Sequence, residues 1–196
     1  LLKKGIMGGT FDPIHLGHLV TAEEVRDYFQ LEEVVFVPSA RPPHKIGQEI
    51  TNPEHRYLMV VLATITNPFF RVSRVELERV GPSYAVDTLH FFREMWGNET
   101  EIYFITGADA FAQISSWNNP DELFRLCTFV AASRPGYKMV GMKEKYRQRV
   151  KMIEVSALAI SSSEIRRRVK RGESIKYLVP EAVENYIKKN GIYMNG

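Results

Sequence analysis

Short apolar runs alternate with amphipathic stretches along all 196 residues, and that alternation leaves few folds open. Lys4-Gly5-Ile6-Met7, Val34 to Val37, Phe70 to Leu77, Glu101 to Ile105, Cys127 to Ala132 and Met152 to Val155 read as strands. Leu16 to Phe29 reads as a helix with Leu19, Ala22, Val25 and Phe29 on one face. Further helices are predicted at Pro53 to Thr66, Ala85 to Met95, Ala108 to Ile114, Met142 to Val150, Ser162 to Lys170 and Pro180 to Lys189. Strands that alternate with helices imply a parallel sheet covered on both faces, with ligands beyond the carboxyl ends of the strands. The unusual residues gather at those ends. Met7 runs into Gly-Gly-Thr-Phe, Val37 into Pro38 to Lys45, Ile105 into Thr106-Gly107-Ala108-Asp109, and Val155 towards a run of serines.

No repeat, low-complexity tract or linker interrupts the pattern, so residues 1–196 are expected to form one domain, with the helices from about 161 completing the site. A net charge of +3 suits small anionic substrates, whereas nucleic-acid binding would call for a basic stripe. The best such run, Arg166-Arg167-Arg168 with Lys170-Arg171, reads as a solvated helix face. The single cysteine, Cys127, excludes a disulfide framework within the chain and lies in an apolar run, as a core thiol would. No apolar stretch is long enough for a membrane span and no signal-peptide pattern opens the sequence, so no membrane association and a cytoplasmic location are expected.

Two segments carry chemistry. In Gly8-Gly9-Thr10-Phe11-Asp12-Pro13-Ile14-His15-Leu16-Gly17-His18 the glycines lack side chains, so backbone N–H groups can approach an anion closely. His15 and His18 stand three residues apart at a helix start, on one side of it, where the helix N-terminus favours phosphate. Neither Gly-x-Gly-x-x-Gly nor a Gly-Lys-Ser/Thr loop is present. His-x-x-His alone would fit a surface pair or a partial zinc site. The second segment is Ile160-Ser161-Ser162-Ser163-Glu164-Ile165-Arg166. Its serines fit a helix cap with capping-box character, and they also fit an anion site to which Arg166 adds a forked donor.

Together these segments resemble the nucleotidyltransferase superfamily marked by (H/T)-x-G-H. Within it the chain is most similar to bacterial nicotinate mononucleotide adenylyltransferases. The likeness extends through Pro42-Pro43-His44-Lys45, Ser83-Tyr84, Asp87-Thr88-Leu89, Gly107-Ala108-Asp109, Trp117 and Ser133-Arg134-Pro135-Gly136-Tyr137. It continues in the tail from Tyr177-Leu178-Val179-Pro180 to Gly191-Ile192-Tyr193.

The resemblance implies an α/β, Rossmann-like nucleotidyltransferase fold. It also implies transfer of the adenylyl group of ATP to nicotinate mononucleotide, with magnesium, giving deamido-NAD and pyrophosphate. The chain would act as a monomer or a homodimer. Because the nucleophile is already a phosphate, such a site needs charge stabilisers and alignment rather than a general base. His18 is the candidate for stabilising the α-phosphate, and His15 for holding triphosphate oxygens. Gly8, Gly9, Thr10 and Phe11 form the loop, with N–H donors from Thr10 and Phe11. The resemblance places Gly107 and Asp109 at the ribose, and Ile160, Ser161, Ser162, Ser163 and Arg166 at the adenine and the β- and γ-phosphates. Lys45 and Arg134 would face the acceptor phosphate and Trp117 would stack on the pyridine. Ser83, Tyr84 and Ala85, with Thr88 nearby, would serve the ring carboxylate. The chain departs from the family pattern at Ala85 and Asn118, where many members carry threonine and tyrosine. Nicotinamide mononucleotide and phosphopantetheine are the alternative acceptors, and a non-catalytic nucleotide-binding regulator is the alternative of another class.

Overall fold

The computed structural model describes residues 1–45, 47–133, 143–156 and 159–194. Its strands are β1 (Lys3–Gly9), β2 (Glu33–Pro38), β3 (Phe70–Val72), β4 (Glu101–Gly107), β5 (Thr128–Ser133) and β6 (Val150–Glu154). They form one sheet in the order β3-β2-β1-β4-β5-β6, with every neighbouring pair parallel. From β1 the chain winds outward through β2 and β3, then returns to the other side of β1 for β4, β5 and β6. The winding reverses between β1 and β4, whose carboxyl ends are Gly9 and Gly107, and an open parallel sheet has its crevice at such a reversal.

The helices are α1 (Leu16–Phe29), α2 (Pro53–Thr64), α3 (Val75–Glu78), α4 (Ala85–Trp96), α5 (Ala108–Phe111), α6 (Pro120–Leu126), α7 (Glu144–Arg147), α8 (Ser162–Lys170) and α9 (Glu181–Asn190). Because successive strand residues face opposite ways, the sheet builds two cores. Met7, Val34, Phe36 and Ile105 pack with Val25 of α1, Met59 of α2, Ile165 of α8 and Val183 of α9. Ile6, Val35, Val37 and Phe104 pack on the other face with Leu89 of α4, Phe111 of α5, Leu123 of α6 and Tyr146 of α7. This is the α/β architecture expected from the alternation.

Local chemistry explains the helix ends. Asn52 accepts from the Glu54 N–H and Pro53 occupies the first turn of α2, where its missing N–H costs nothing. Ser161 accepts from the Glu164 N–H at the start of α8. Gly191 ends α9 in the left-handed region.

The elements depart from expectation in four places. The alternation over Phe70 to Leu77 continues as strand only to Val72, and α3 follows. Val72 pairs with Phe36, so two residues further on the strand would face Pro38, which has no N–H to give. Helix α6 was not anticipated, although Pro120 in its first turn, Asp121 and Glu122 early and Arg125 late are all helix signals. The helix expected over Ala108 to Ile114 divides into α5 and a 3₁₀ turn at Ile114–Ser116. The helix expected from Met142 to Val150 is only the four residues of α7; Met142 lies outside the described residues and Val150 opens β6. Among the described residues no helix is long and apolar enough to cross a membrane.

Gly5 is a point of close side-chain approach in the middle of the central strand. A Cβ there would lie 3.0 Å from Leu31 Cδ1, 3.1 Å from Val34 Cγ2 and 3.2 Å from Ile105 Cδ1. Gly5→Val is therefore expected to destabilise the fold by about 1–3 kcal/mol through overpacking. Urea unfolding checks this: the midpoint should fall while the slope stays unchanged.

Candidate active site

The loop after β1 is shaped by aromatic rings as much as by glycine freedom. Phe11 is a non-glycine residue at φ 49°, and this turn folds its ring back over Gly9. A Cβ on Gly9 would lie 2.9 Å from Phe11 Cζ, and one on Gly8 would lie 3.1 Å from Phe104 Cζ. The two glycines thus let a ring close on each side of the strand end.

His15 is the N-cap of α1 in an extended conformation, and His18 sits in the first turn. Their rings stack with centroids 3.7 Å apart, and the Phe11 ring meets His18 edge-on at 5.1 Å. The His15 backbone N–H donates to His18 Nδ1 at 3.2 Å. A neutral His18 must then carry its proton on Nε2, which leaves that atom as a donor. Burial lowers the His15 pKa from 6.5 to about 4. Burial, and then the charge of His15, holds His18 well below its ordinary value. At neutral pH in the free protein both imidazoles are therefore uncharged N–H donors. They add no net positive charge of their own to the site.

The late serine segment docks onto this loop. Ser162 Oγ donates to the Pro13 carbonyl at 2.9 Å, and Arg166 Nη1 donates to the Asp12 carbonyl at 2.8 Å. Tyr193 donates its phenol to Asp12 Oδ1 at 2.7 Å, and the Leu16 N–H bonds the Leu178 carbonyl at 2.9 Å. Glu164 pairs with Arg167 and Arg168, which satisfies the outer face of α8. The two motifs, about 150 residues apart in the chain, form one wall.

Lys45 ends a 3₁₀ turn after β2 and is half-buried. Its pKa is lowered by burial and then by the charge of Arg166. Sequence reading had assigned these two cations to different substrates; the fold makes them electrostatic neighbours, with Arg56 and Asp12 in the same group. Three cations held near one buried carboxylate leave a surplus of positive charge for an anion. Gly107 ends β4 and is exposed, as is Asp109 on α5, so both stand at the open side of the crevice.

The turn before α4 is held from the β2 loop. Arg41 N–H donates to Ser83 Oγ at 3.1 Å, and Ser83 N–H returns to the Arg41 carbonyl at 3.0 Å. Tyr84 caps α4 and Ala85 begins it. Thr88 takes a different place from the one expected. It is 1% exposed, and its hydroxyl donates to Glu76 Oε1 at 2.6 Å and accepts from Arg79 at 3.2 Å. It supports the turn from beneath, because the buried Glu76 carboxylate needs a donor. Trp117 is half-buried, edge-on to Phe104 and Phe129 at 6.1 and 6.2 Å. Phe104 is the ring that closes on Gly8, so Trp117 is tied to the same crevice. Ile160 and Ser163 flank the start of α8. Arg134 lies outside the described residues. Cys127 is only partly buried as a residue, but its thiol donates to the Leu123 carbonyl and burial pushes its pKa up.

Sequence reading missed Arg56. Its signal was a charged residue in the apolar stripe of α2: Arg56, Met59, Val60, Ala63 and Thr64 are the buried positions.

A parallel sheet that reverses at β1, with paired histidines at the first helix and a serine-capped helix closing on them, is the arrangement of a nucleotidyltransferase. The Cytidylyltransferase-like family matches residues 6–168 of the chain. A relative in Moorella thermoacetica, carrying the name "Probable nicotinate-nucleotide adenylyltransferase", is 55% identical over 97% of this chain and 91% of its own length. One of the same name in Thermoanaerobacter sp. (strain X514) is 51% identical over 98% of this chain and 94% of its own. The solved structure of Plasmodium falciparum nicotinic acid mononucleotide adenylyltransferase complexed with NaAD shares the fold, with a TM-score of 0.79 at 23% identity over 98% of both chains. The chain belongs to the nicotinate-nucleotide adenylyltransferase family and is an enzyme.

The depressed histidine pKa values have a cost in acid. The unfolded chain binds a proton at His15 near pH 6.5 while the folded chain resists it until about pH 4, so stability is complete above that window and is lost as pH falls through it. Between pH 7 and pH 5 the loss through His15 is about 2 kcal/mol. Denaturant unfolding of wild type and His15→Asn at both pH values checks this: the variant should lose about that much less.

Proposed function

We propose that this enzyme joins the phosphate of nicotinate mononucleotide to the α-phosphorus of ATP, giving deamido-NAD. An oxygen of the acceptor phosphate forms the new bond to Pα, the bond from Pα to the bridging oxygen breaks, and pyrophosphate leaves with the electron pair. No proton needs to be removed from the nucleophile. What the enzyme must supply is alignment of two anions and donors for the charge that shifts onto Pα and the leaving group.

The observation that carries this reading is the stacked His15–His18 pair at the mouth of α1, in a loop whose Asp12 carbonyl holds Arg166. A neutral His18, aimed by a backbone hydrogen bond, is suited to stabilising charge that develops only in the transition state. Fixed N–H donors need no reorganisation as the reaction proceeds. Phe11 and Thr10 would offer their N–H groups to the triphosphate, with Gly107 and Asp109 at the ribose and residues 160–163 closing over the adenine and outer phosphates. The start of α4, where Tyr84 and Ala85 present the helix N-terminus, suits the carboxylate of the pyridine ring. That feature favours the acid over the amide acceptor. Trp117 would stack on the ring, and Lys45 with Arg134 would hold the acceptor phosphate.

Magnesium would screen the phosphates and polarise Pα. Among the described residues no group of three His, Cys, Asp or Glu could hold a metal. Around the loop the Asp12 carboxylate is committed to Tyr193 and to the Thr51 N–H. The ion is thus expected to arrive on the oxygens of ATP, as it does in sites that bind magnesium through substrate phosphates. We place the enzyme in the cytoplasm with its substrates.

Pyrophosphate release from Mg-ATP should be fastest with nicotinate mononucleotide when compared with nicotinamide mononucleotide and phosphopantetheine. Release with none of the three would sink the reading, and equal rates with acid and amide would sink the role of the α4 terminus. His18→Ala should lower kcat by roughly 10²–10³-fold while ATP affinity changes far less. Parallel losses in kcat/KM and ATP binding would mean that His18 only binds.

A further inference from the structure

Arg56 is among the largest fully buried side chains of the described residues, at 1% exposure. A guanidinium out of water is costly unless its N–H groups find acceptors. Here it finds four backbone carbonyls: Thr51 at 2.8 Å, Thr10 at 2.7 Å, Ser39 at 2.7 Å and Ala40 at 3.3 Å. These belong to three separate segments: the loop after β1, the loop after β2, and the lead into α2. Asp12 provides the opposite charge that acts on it most strongly.

The choice of carbonyls has a geometric consequence. In a trans peptide the C=O and the following N–H point in opposite directions. The Thr10–Phe11 bond is trans, so holding the Thr10 carbonyl turns the Phe11 N–H away from Arg56. Among the described residues that N–H has no protein acceptor, although Phe11 is 3% exposed. The same logic acts at Ala40. Its carbonyl is held by Arg56, and the next N–H, that of Arg41, donates to Ser83 Oγ. One planar fork therefore sets both the direction of an N–H in the nucleotide loop and the position of the turn that opens α4.

We infer that Arg56 is a positioning residue that fixes the ATP loop relative to the acceptor turn. The two substrates then meet in line when each occupies its own subsite. The inference rests on the assignment of Phe11 N–H to the triphosphate and of the Ser83 turn to the acceptor. A lysine at position 56 keeps the charge but cannot hold four carbonyls in a plane, so it separates positioning from simple attraction of anions.

The test is Arg56→Lys, measured well below its unfolding transition. The expected result is a kcat lower by on the order of 10²-fold, with the dissociation constants of Mg-ATP and nicotinate mononucleotide each within about threefold of wild type. A kcat within about threefold of wild type, or losses in affinity that account for the whole effect, would overturn the inference. Ser83→Ala carries the test if Arg56→Lys does not fold. It cuts the link to Arg41 and should lower kcat without weakening ATP binding, whereas weaker acceptor binding alone would count against the link. In wild type, the Phe11 amide resonance should shift when a non-hydrolysable ATP analogue is added. No shift would remove the subsite assignment itself. A shift combined with wild-type kcat in both variants would remove only the role of Arg56.

Discussion

Strand β1 is bonded on both sides by parallel partners, to β2 through residues 4–9 and to β4 through residues 3–7. That double pairing buries Ile6 and Met7 on opposite faces and makes Gly5 a contact point for three side chains. It also forces the chain to leave the sheet at Gly9 in the one place where the winding reverses, so the loop has neighbours from both halves of the molecule. The closing of Phe11 and Phe104 on the glycines, the docking of α8 and the convergence of Lys45, Arg56 and Arg166 all follow from that exit.

The site works by desolvation as well as by charge. Stacking His18 on His15 and covering both keeps them neutral, which costs stability in acid but leaves an oriented Nε2–H donor. The permanent positive charge comes from residues on other elements, Lys45 after β2 and Arg166 on α8, with Asp12 as the internal counter-charge. In the proposed reaction the fixed cations would attract the substrates, and the neutral donors would serve the reacting phosphorus. This division suits a reaction whose nucleophile and leaving group are both anionic.

Much of this architecture was legible before any coordinates. The extents of α1 and α8 match their periodicity residue for residue, because capping, amphipathic spacing and stop signals are properties of neighbouring residues. Where the reading failed, the deciding partner was distant. The stretch from Phe70 stops being a strand because Pro38 ends the ladder on another strand. Helix α6 is the exception, because its signals at Pro120, Asp121, Glu122 and Arg125 are all local. Thr88 sits in a ligand-like motif, and its hydroxyl donates to Oε1 of Glu76, a residue read as part of a strand.

The sequence by itself determined the alternation of strands and helices, the crevice at the carboxyl ends, and the two motifs richest in anion donors. These depend on local periodicity, on backbone freedom at glycine and on the donors a segment can present. Only the tertiary structure decided that the histidines are neutral, that Lys45 and Arg166 feel each other's charge, and that Arg56 holds three segments together. Each of those depends on which groups lose water and how close they come, and both are set by the packing of segments far apart in the chain.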